Sequence, residues 1–295
     1  MGRPVIPAPK TDILQDILSS FDISKDAAVA PLASSWDLCR IKTGSANLVL
    51  KKFWRLSPER AHVLDSMLKA CSMAGITPSL LHTREGSTLL RKDKYFYSIC
   101  EYIPPLAKPP ADFVEQGANV VAKMHQILST IPGQGIRAPL HVEKKTLLKI
   151  LIKNDLSKYT PTLEQADEAK ILTRSILVHN DLHPGNVLFG LDGKSYLIDF
   201  ESFSHNPLVA DALFAAFRLS KGNKQISEKF MSHYEQAMPL TPSEKQHGYL
   251  LLAADFIRKI AFIFKEMEDG NTTFMRDLEK YKRFASTAIQ WAGQS

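Results

Sequence analysis

Residues 177–201, LVHNDLHPGNVLFGLDGKSYLIDFE, place acids and an amide between apolar runs. Asp181 and Asn186 stand five residues apart, and Asp199 follows Asp181 by eighteen residues. Carboxylate and amide oxygens suit Mg²⁺, a hard cation that keeps several waters and bridges substrate phosphates. A carboxylate can also orient and deprotonate a hydroxyl that attacks a phosphoryl group. These residue types could therefore carry out metal-assisted phosphoryl transfer.

The residues around these polar side chains predict a turn and a β-hairpin. A Pro-Gly pair before Asn186 predicts the turn. Apolar residues 187–189 and 196–198 predict two short strands, and the Asp-Gly pair between them is a hairpin signal. Such a hairpin would fold Asp199 back toward Asp181. A turn and hairpin that merely join buried strands are the alternative interpretation of this fragment on its own.

The loop 179–186, together with Ile-Asp-Phe-Glu at 198–201, resembles the signature of the aminoglycoside phosphotransferase and choline kinase family. The resemblance implies an α+β, two-lobed protein-kinase-like fold with a small β-rich N-lobe and a larger, mainly helical C-lobe. It implies ATP and Mg²⁺ as cofactors, Asp181 as the catalytic base, and Asn186 and Asp199 as metal ligands.

The same resemblance assigns supporting roles around the loop. It implies that His179 is a scaffold residue, and His183 lies inside the same loop. Asp211 resembles the family's buried aspartate that braces the catalytic loop, although an N-cap of the helix that follows is a second interpretation. Glu201 replaces the kinase glycine, a mark of the small-molecule branch, and no A-P-E sequence follows. The expected acceptor is therefore a small-molecule hydroxyl, on an amino alcohol, a sugar or an aminoglycoside, and not a protein.

A strand lysine that contacts the nucleotide phosphates is expected in NLVLKKFW. The family pattern favours Lys51, directly after the apolar pair, and Lys52 is the alternative. The expected partner of this lysine is Glu59 on the following helix, with Asp65 as a second candidate.

The segment YSICEYIPP resembles the strand-to-hinge segment that binds adenine, which implies contacts to the Glu101 carbonyl and the Ile103 amide. An edge strand ended by prolines is the alternative interpretation. The phosphate loop is expected at residues 30–35, where no glycine occurs. That feature motivates the alternative function of a catalytically silent nucleotide-binding or spore-coat assembly module.

The pattern along the chain predicts an N-lobe over 1–103, a hinge over 104–110 and a C-lobe over 111–295. Four prolines fall within the hinge, and such a run can continue neither a helix nor a central strand. Helices and hairpins are predicted on either side of it. The helices are expected at 11–21, 58–75, 113–129, 143–156, 164–177, 244–268 and 273–291, and the N-lobe hairpins at 34–54 and 87–103.

Composition limits the partners. The net charge of +6 comes mostly from residues 1–109, with 15 basic and 10 acidic residues, whereas residues 110–295 hold 22 and 21. Without a basic run or interleaved aromatics, nucleic-acid binding is not expected. The near balance in the C-lobe does not favour a polycationic substrate, which would need an acidic, aromatic-lined pocket.

Three sparse cysteines and the lack of a long apolar stretch predict a soluble, cytoplasmic protein that binds no membrane. Residues 48–68 and 94–103, together with the short HND loop, resemble the bacterial spore-coat-associated branch of the family, which implies spore association.

Overall fold

The computed structural model describes residues 11–32, 36–44, 46–54, 56–133, 135–137 and 142–294. The described residues form two compact units. Unit 1 extends to Ala111 and also contains Val187–Glu201, and unit 2 combines Asp112–Asn186 with the chain from Ser202 onward. The predicted boundary at 104–110 lies close to this division and stays a prediction.

The strands and α-helices occur in groups along the chain. The strands of the described residues are β1 (Ala28–Pro31), β2 (Leu38–Thr43), β3 (Ala46–Phe53), β4 (Leu90–Lys92), β5 (Tyr95–Glu101), β6 (Ser175–Val178), β7 (Val187–Phe189), β8 (Ser195–Leu197) and β9 (Ser204–Pro207). The α-helices are α1 (Thr11–Ser20), α2 (Pro58–Met73), α3 (Phe113–Leu128), α4 (Lys144–Lys153), α5 (Thr160–Ile171), α6 (Leu208–Leu219), α7 (Lys224–Ala237), α8 (Pro242–Glu268) and α9 (Leu278–Ala292).

Unit 1 is built on an antiparallel sheet with the strand order β1-β2-β3-β5-β4. Both predicted N-lobe hairpins are confirmed, since β2 pairs with β3 and β4 with β5. Apolar side chains that alternate along β2, β3 and β5 pack with Ile17 and Leu18 of α1 into one core. The predicted start of α2 is also confirmed, because Ser57 is its N-cap and Pro58 its first residue.

The hairpin β7–β8 packs in unit 1, although the sequence analysis assigned its residues to the C-lobe. The backbone N–H of Leu197 donates to Ile76 O at 2.7 Å, and that of Leu106 donates to Phe189 O at 2.7 Å. The register places Val187 opposite Leu197, so the hairpin begins and ends at the same edge.

Unit 2 is mainly helical, with the two-stranded sheet β6–β9. The prediction of a helix over 164–177 is wrong at its end, because α5 stops at Ile171 and Ser175–Val178 is strand β6. The apolar residues of β6 fit both periods, and pairing with β9 decides between them. Strand β9 has the sequence SHNP, which carries no alternation that could have predicted it.

The core of unit 2 lies around α6, in which every residue except Arg218 is buried. Helix α8 is 27 residues long and begins with a capping box formed by Thr241 and Glu244. Gly248 permits its close approach to α6, since a Cβ there would lie 2.6 Å from the side chain of Leu213. None of the helices in the described ranges is long and apolar enough to cross a membrane.

Candidate active site

The loop that carries Asp181 leaves strand β6 through a left-handed residue. Asn180 has a φ of 63°, a conformation that asparagine tolerates better than most residues. Its side-chain amide donates to Ser202 O at 3.0 Å and to Ser204 Oγ at 2.6 Å. The turn is therefore held from the β9 side, and the Asp181 side chain that follows it remains 30% exposed.

A buried carboxylate holds the backbone just before Asp181. Asp211 Oδ1 accepts the Asn180 N–H at 2.7 Å, and Oδ2 accepts the His179 N–H at 3.3 Å. His125 Nε2 lies 3.0 Å from Asp211 Oδ2, and its Nδ1 lies 2.8 Å from the Tyr234 hydroxyl. Asp211, His125 and Tyr234 are at most 2% exposed. In such surroundings hydrogen bonds are strong and unpaired groups are costly.

The two interpretations of Asp211 can now be separated. Helix α6 begins at Leu208 and its N-cap is Pro207, so Asp211 is not the N-cap. Its contacts are those of a brace on the loop. His125 is a packed core residue, and its contact with Asp211 could not be anticipated because sequence patterns indicate burial and not the partner.

The second half of the loop is held by its own residues. His179 is fully buried and its Nδ1 accepts the Asp181 N–H at 3.3 Å. His183 Nδ1 accepts the Gly185 N–H at 3.0 Å, and His183 Nε2 lies 3.7 Å from Asp181 Oδ2. A Cβ on Gly185 would lie 2.8 Å from the His183 ring, so any other residue there would displace this ring. Asn186 Nδ2 donates to Asp181 O at 2.8 Å.

A lysine that was not predicted from the sequence forms an ion pair with Asp181. Lys259 of α8 places Nζ 3.5 Å from Asp181 Oδ1 and 3.4 Å from Asn180 O, above the ring of Phe214. Burial acts to lower the pKa of Lys259, but Asp181, Tyr281 and Asp255 together outweigh it and the pKa lies above its ordinary value. This lysine is therefore a fixed positive charge beside the expected base.

In unit 1, Lys51 joins two of the predicted carboxylates. Its Nζ lies 2.5 Å from Asp199 Oδ1 and 3.4 Å from Glu201 Oε2. Burial acts to lower the pKa of Lys51, but Asp199 and Glu201 together raise it above the ordinary value. Burial raises the pKa of Glu201, and Lys51 partly offsets this. Asp199 has a φ of 68° and directly precedes the turn that Arg60 holds by donating to Glu201 O at 3.0 Å.

The predicted pair of Lys51 and Glu59 is not formed among the described residues. Glu59 lies exposed in the first turn of α2. Asp65, the second candidate, accepts hydrogen bonds from Thr88 at 2.6 Å and pairs with a lysine of its own helix. Lys52 points away from Asp199 and rests on aromatic rings, with Nζ 3.7 Å from the centroid of Tyr95. Strand alternation thus separates Lys51 from Lys52.

The expected adenine segment ends β5. Glu101 lies exposed at the last strand position. Ile103 is 9% exposed, and no hydrogen bond of the described residues uses its backbone N–H. A nearly buried donor without a protein acceptor suits a ligand. Of the expected phosphate loop, residues 30 and 31 end strand β1, whereas residues 33–35 lie outside the described residues.

The predicted metal ligands offer oxygen donors. The amide of Asn186 is oriented by its Nδ2 bond to Asp181 O, and no hydrogen bond of the described residues uses its Oδ1. The Asp199 carboxylate is 27% exposed and lies beside Lys51. An amide oxygen and a carboxylate are hard ligands of the type that hold Mg²⁺ together with substrate phosphates, so both residues fit the metal.

Unit 2 also contains a cavity of ≈ 590 Å³ that reaches the Asp181 loop. Asn180 and Lys259 form part of its wall, next to Phe214 and Phe262. Charged side chains of both signs complete it: Arg137, Glu143, Lys144, Asp167, Lys170, Asp211, Asp255 and Arg258. The wall therefore carries five basic and four acidic side chains when Lys259 is included. A volume of this size accommodates a small organic ligand.

Residues 28–239 match the model of the phosphotransferase enzyme family, which covers most of the sequence. The chain belongs to this family. It is therefore a kinase-type phosphotransferase, and the predicted family resemblance is confirmed. No curated protein matches the sequence significantly.

Solved structures of this family share the fold at low identity. An aminoglycoside phosphotransferase from Alicyclobacillus acidocaldarius is 15% identical, with a TM-score of 0.62 over 100% of this chain and 98% of that chain. Choline kinase LicA from Streptococcus pneumoniae is 18% identical, with a TM-score of 0.66 over 95% and 98%. Amicoumacin kinase hAmiN, in complex with AMP-PNP, Ca²⁺ and Ami, is 15% identical, with a TM-score of 0.67 over 95% and 94%. These likenesses confirm the predicted α+β kinase-like fold, with a β-sheet N-terminal region and a helical C-terminal region.

Proposed function

We propose that this phosphotransferase transfers the γ-phosphate of ATP to a hydroxyl of a small molecule of the amino alcohol, sugar or aminoglycoside class. Asp181 accepts the proton of the attacking hydroxyl. The observation that carries this role is the rigid support of its loop, in which a carboxylate buried in α6 holds the two preceding backbone N–H groups. A base that is preorganised in this way needs little reorganisation during the reaction.

The nucleotide is bound by the remaining predicted residues. Lys51 contacts the phosphates, with Asp199 and Glu201 rather than Glu59 keeping its ammonium in place. The Glu101 carbonyl and the Ile103 N–H bind the adenine. Asn186 and Asp199 hold Mg²⁺, which neutralises charge on the phosphates when bound.

The decisive experiment compares the wild type with Asp181→Asn. ATP with Mg²⁺ is expected to raise the melting temperature of both proteins, while ADP formation with a pool of amino alcohols, sugars and aminoglycosides occurs only with the wild type. Asp269→Asn, an exposed acid at the end of α8, is the control and is expected to keep full activity. If the wild type bound ATP but formed ADP with none of these acceptors, the proposal would be refuted and the catalytically silent module would be favoured.

A further inference from the structure

The cavity of unit 2 contains one lysine that no carboxylate neutralises directly. The other four basic side chains of its wall lie within 4.0 Å of acids: Arg137 of Glu143, Lys144 of Asp167, Arg258 of Asp167 and Asp255, and Lys259 of Asp181. The Nζ of Lys170 instead donates to the neutral amide oxygen of Asn206, at 3.2 Å. No ion pair of the described residues includes Lys170.

The carboxylates of the same wall already accept hydrogen bonds from other residues. Asp167 accepts from Lys144 at 2.6 Å and from Arg258 at 3.3 Å, and Asp255 accepts from Arg258 at 3.0 Å. Asp211 is committed to the loop backbone. A cationic ligand would therefore meet carboxylates whose charge is already offset by ion pairs, whereas an anionic ligand would meet an ammonium that no ion pair of the described residues offsets.

The surroundings of Lys170 disfavour a lone positive charge. The ammonium is partly buried on α5, and burial, with the nearby Arg258, lowers its pKa below the ordinary value. The pKa of His205, on the neighbouring strand β9, is lowered by burial and by Lys170. The carboxylates of Asp255 and Asp167 act in the opposite direction on the pKa of Lys170 but do not cancel the burial and the repulsion from Arg258, so an anion beside Lys170 would stabilise its ammonium.

Lys170 is also connected to the loop of the expected base. Asn206 accepts from Lys170 through Oδ1, while its Nδ2 donates to Asn180 Oδ1 at 3.2 Å. Asn180 directly precedes Asp181. An anionic group bound at Lys170 would therefore anchor a small ligand two hydrogen bonds from the residue before the base.

We propose that the hydroxyl substrate of this enzyme carries a carboxylate or phosphate group, which binds to Lys170 in the cavity of unit 2. The inference rests on the proposed phosphotransferase function and specifies its substrate class. It distinguishes an acidic or zwitterionic hydroxyl compound from the purely cationic amino alcohols and aminoglycosides.

Matched acceptors that differ only by an anionic group test this inference. ADP formation is measured with serine against ethanolamine, glycerate against ethylene glycol, and glycerol 3-phosphate against glycerol, so that carboxylate and phosphate are compared separately. We expect the anionic member of at least one pair to have the higher kcat/KM. A preference for the cationic or neutral member in every pair would overturn the inference and leave the proposed function intact.

Variants of Lys170 locate the effect. Lys170→Met is expected to raise KM for the anionic acceptor by roughly ten- to a hundredfold, the value of a charge-assisted hydrogen bond. The KM for the acceptor of the pair that lacks the anionic group should change by less than about twofold. Lys170→Arg should keep most of the affinity. Lys149→Met, which removes an exposed lysine outside the cavity wall, controls for net charge. Equal changes in KM for both members of a pair would overturn the inference.

A binding measurement separates this inference from the proposed function. Serine, glycerate and glycerol 3-phosphate are titrated into the wild type and Lys170→Met by calorimetry, without ATP. Binding that is lost in the variant supports the site even if no acceptor yields ADP. The absence of binding by all three compounds, or binding that is unchanged in the variant, refutes the site.

Discussion

Replacing Asp211 by Asn should remove the brace on the Asp181 loop at nearly constant volume. Oδ1 accepts one backbone N–H, from Asn180, and Oδ2 accepts that of His179 and faces His125. In either orientation of the Asn side chain, its NH₂ group faces a backbone N–H donor in place of an oxygen acceptor. At least one charge-assisted hydrogen bond is lost, worth about 1.5–3 kcal/mol, and a buried donor is left unpaired at a cost of about 1–3 kcal/mol.

We therefore expect Asp211→Asn to destabilise unit 2 by about 3 kcal/mol or more, which corresponds to a fall in melting temperature of roughly 6–12 °C for a unit of this size. Circular dichroism during heating measures the shift. The exposed Asp269→Asn is the control, and should change stability by less than about 0.5 kcal/mol. Faster hydrogen exchange at the backbone of Asn180 would show that the loop itself loosens.

Activity provides a second measurement on the same variant. Because Asp181 follows the braced residues directly, ADP formation should fall by more than the population of unfolded protein explains. If Asp211→Asn were as stable as the control, or if it lost stability while the exchange at residues 179–180 stayed unchanged, the inferred brace would be refuted.

Three further predictions follow from ion pairs in the two units. Burial acts to raise the pKa of Glu244, but hydrogen bonds from Arg174 and from Thr241, the N-cap of α8, outweigh it and hold the pKa below 4.5. The stabilisation by the Glu244 carboxylate is therefore present above pH 4.5 and is lost as the pH falls through the folded-state pKa. Glu244→Gln should lower the free energy of unfolding by about 2 kcal/mol at pH 7, and urea denaturation at a series of pH values should show a smaller loss of stability in acid than the wild type shows. Lys51→Met should lower kcat/KM for ATP by roughly ten- to a hundredfold, whereas Lys52→Met, which removes a lysine that rests on aromatic rings, should change it less than about threefold; equal losses would contradict the assignment. Lys259→Met should move the acid limb of the pH–rate profile upward, because the cation beside Asp181 is lost, and an unmoved limb would contradict that electrostatic role.

The spacing of Asp181, Asn186 and Asp199 was sufficient to predict the loop and the hairpin, because both depend on residues that are neighbours in the chain. Turn residues, short apolar runs and an Asp-Gly pair act locally, and the register of β7 with β8 follows from them. The capped start of α2 was predictable for the same reason. The partner of Lys51 was not, because the distance from a strand to a helix or to a distant hairpin depends on packing that local patterns do not contain.

Strand β6 and its partner β9 show a second limit. Three apolar residues within Ser175–Val178 fit the period of the helix that precedes them, and only pairing with β9 makes the segment a strand. The polar sequence of β9 predicts a loop, yet its backbone pairs with β6 and its side chains support Asn180. Tertiary context overrides propensity where the segment is short.

Polar residues whose contacts were not predicted from the sequence share a recognisable signal. Asp255, Arg258 and Lys259 interrupt the apolar run LLAADFIRKIAFIF of α8 at spacings of three and four, which places them on one face of a helix that is otherwise largely buried. Burying a charge is costly unless it is paired, so a cluster of charges on such a face predicts a polar partner from another element. Here the partners are Asp167 on α5, in the cavity wall, and Asp181, the expected base. Lys170 on α5 and His125 on α3 lie beside buried residues of their own helices in the same way, and both take part in contacts that lead to Asn180 and Asp211. Charged and polar side chains that interrupt apolar helical faces are therefore the positions from which the cavity of unit 2 could have been anticipated, whereas the acids of the loop indicate only the proposed site of phosphate transfer.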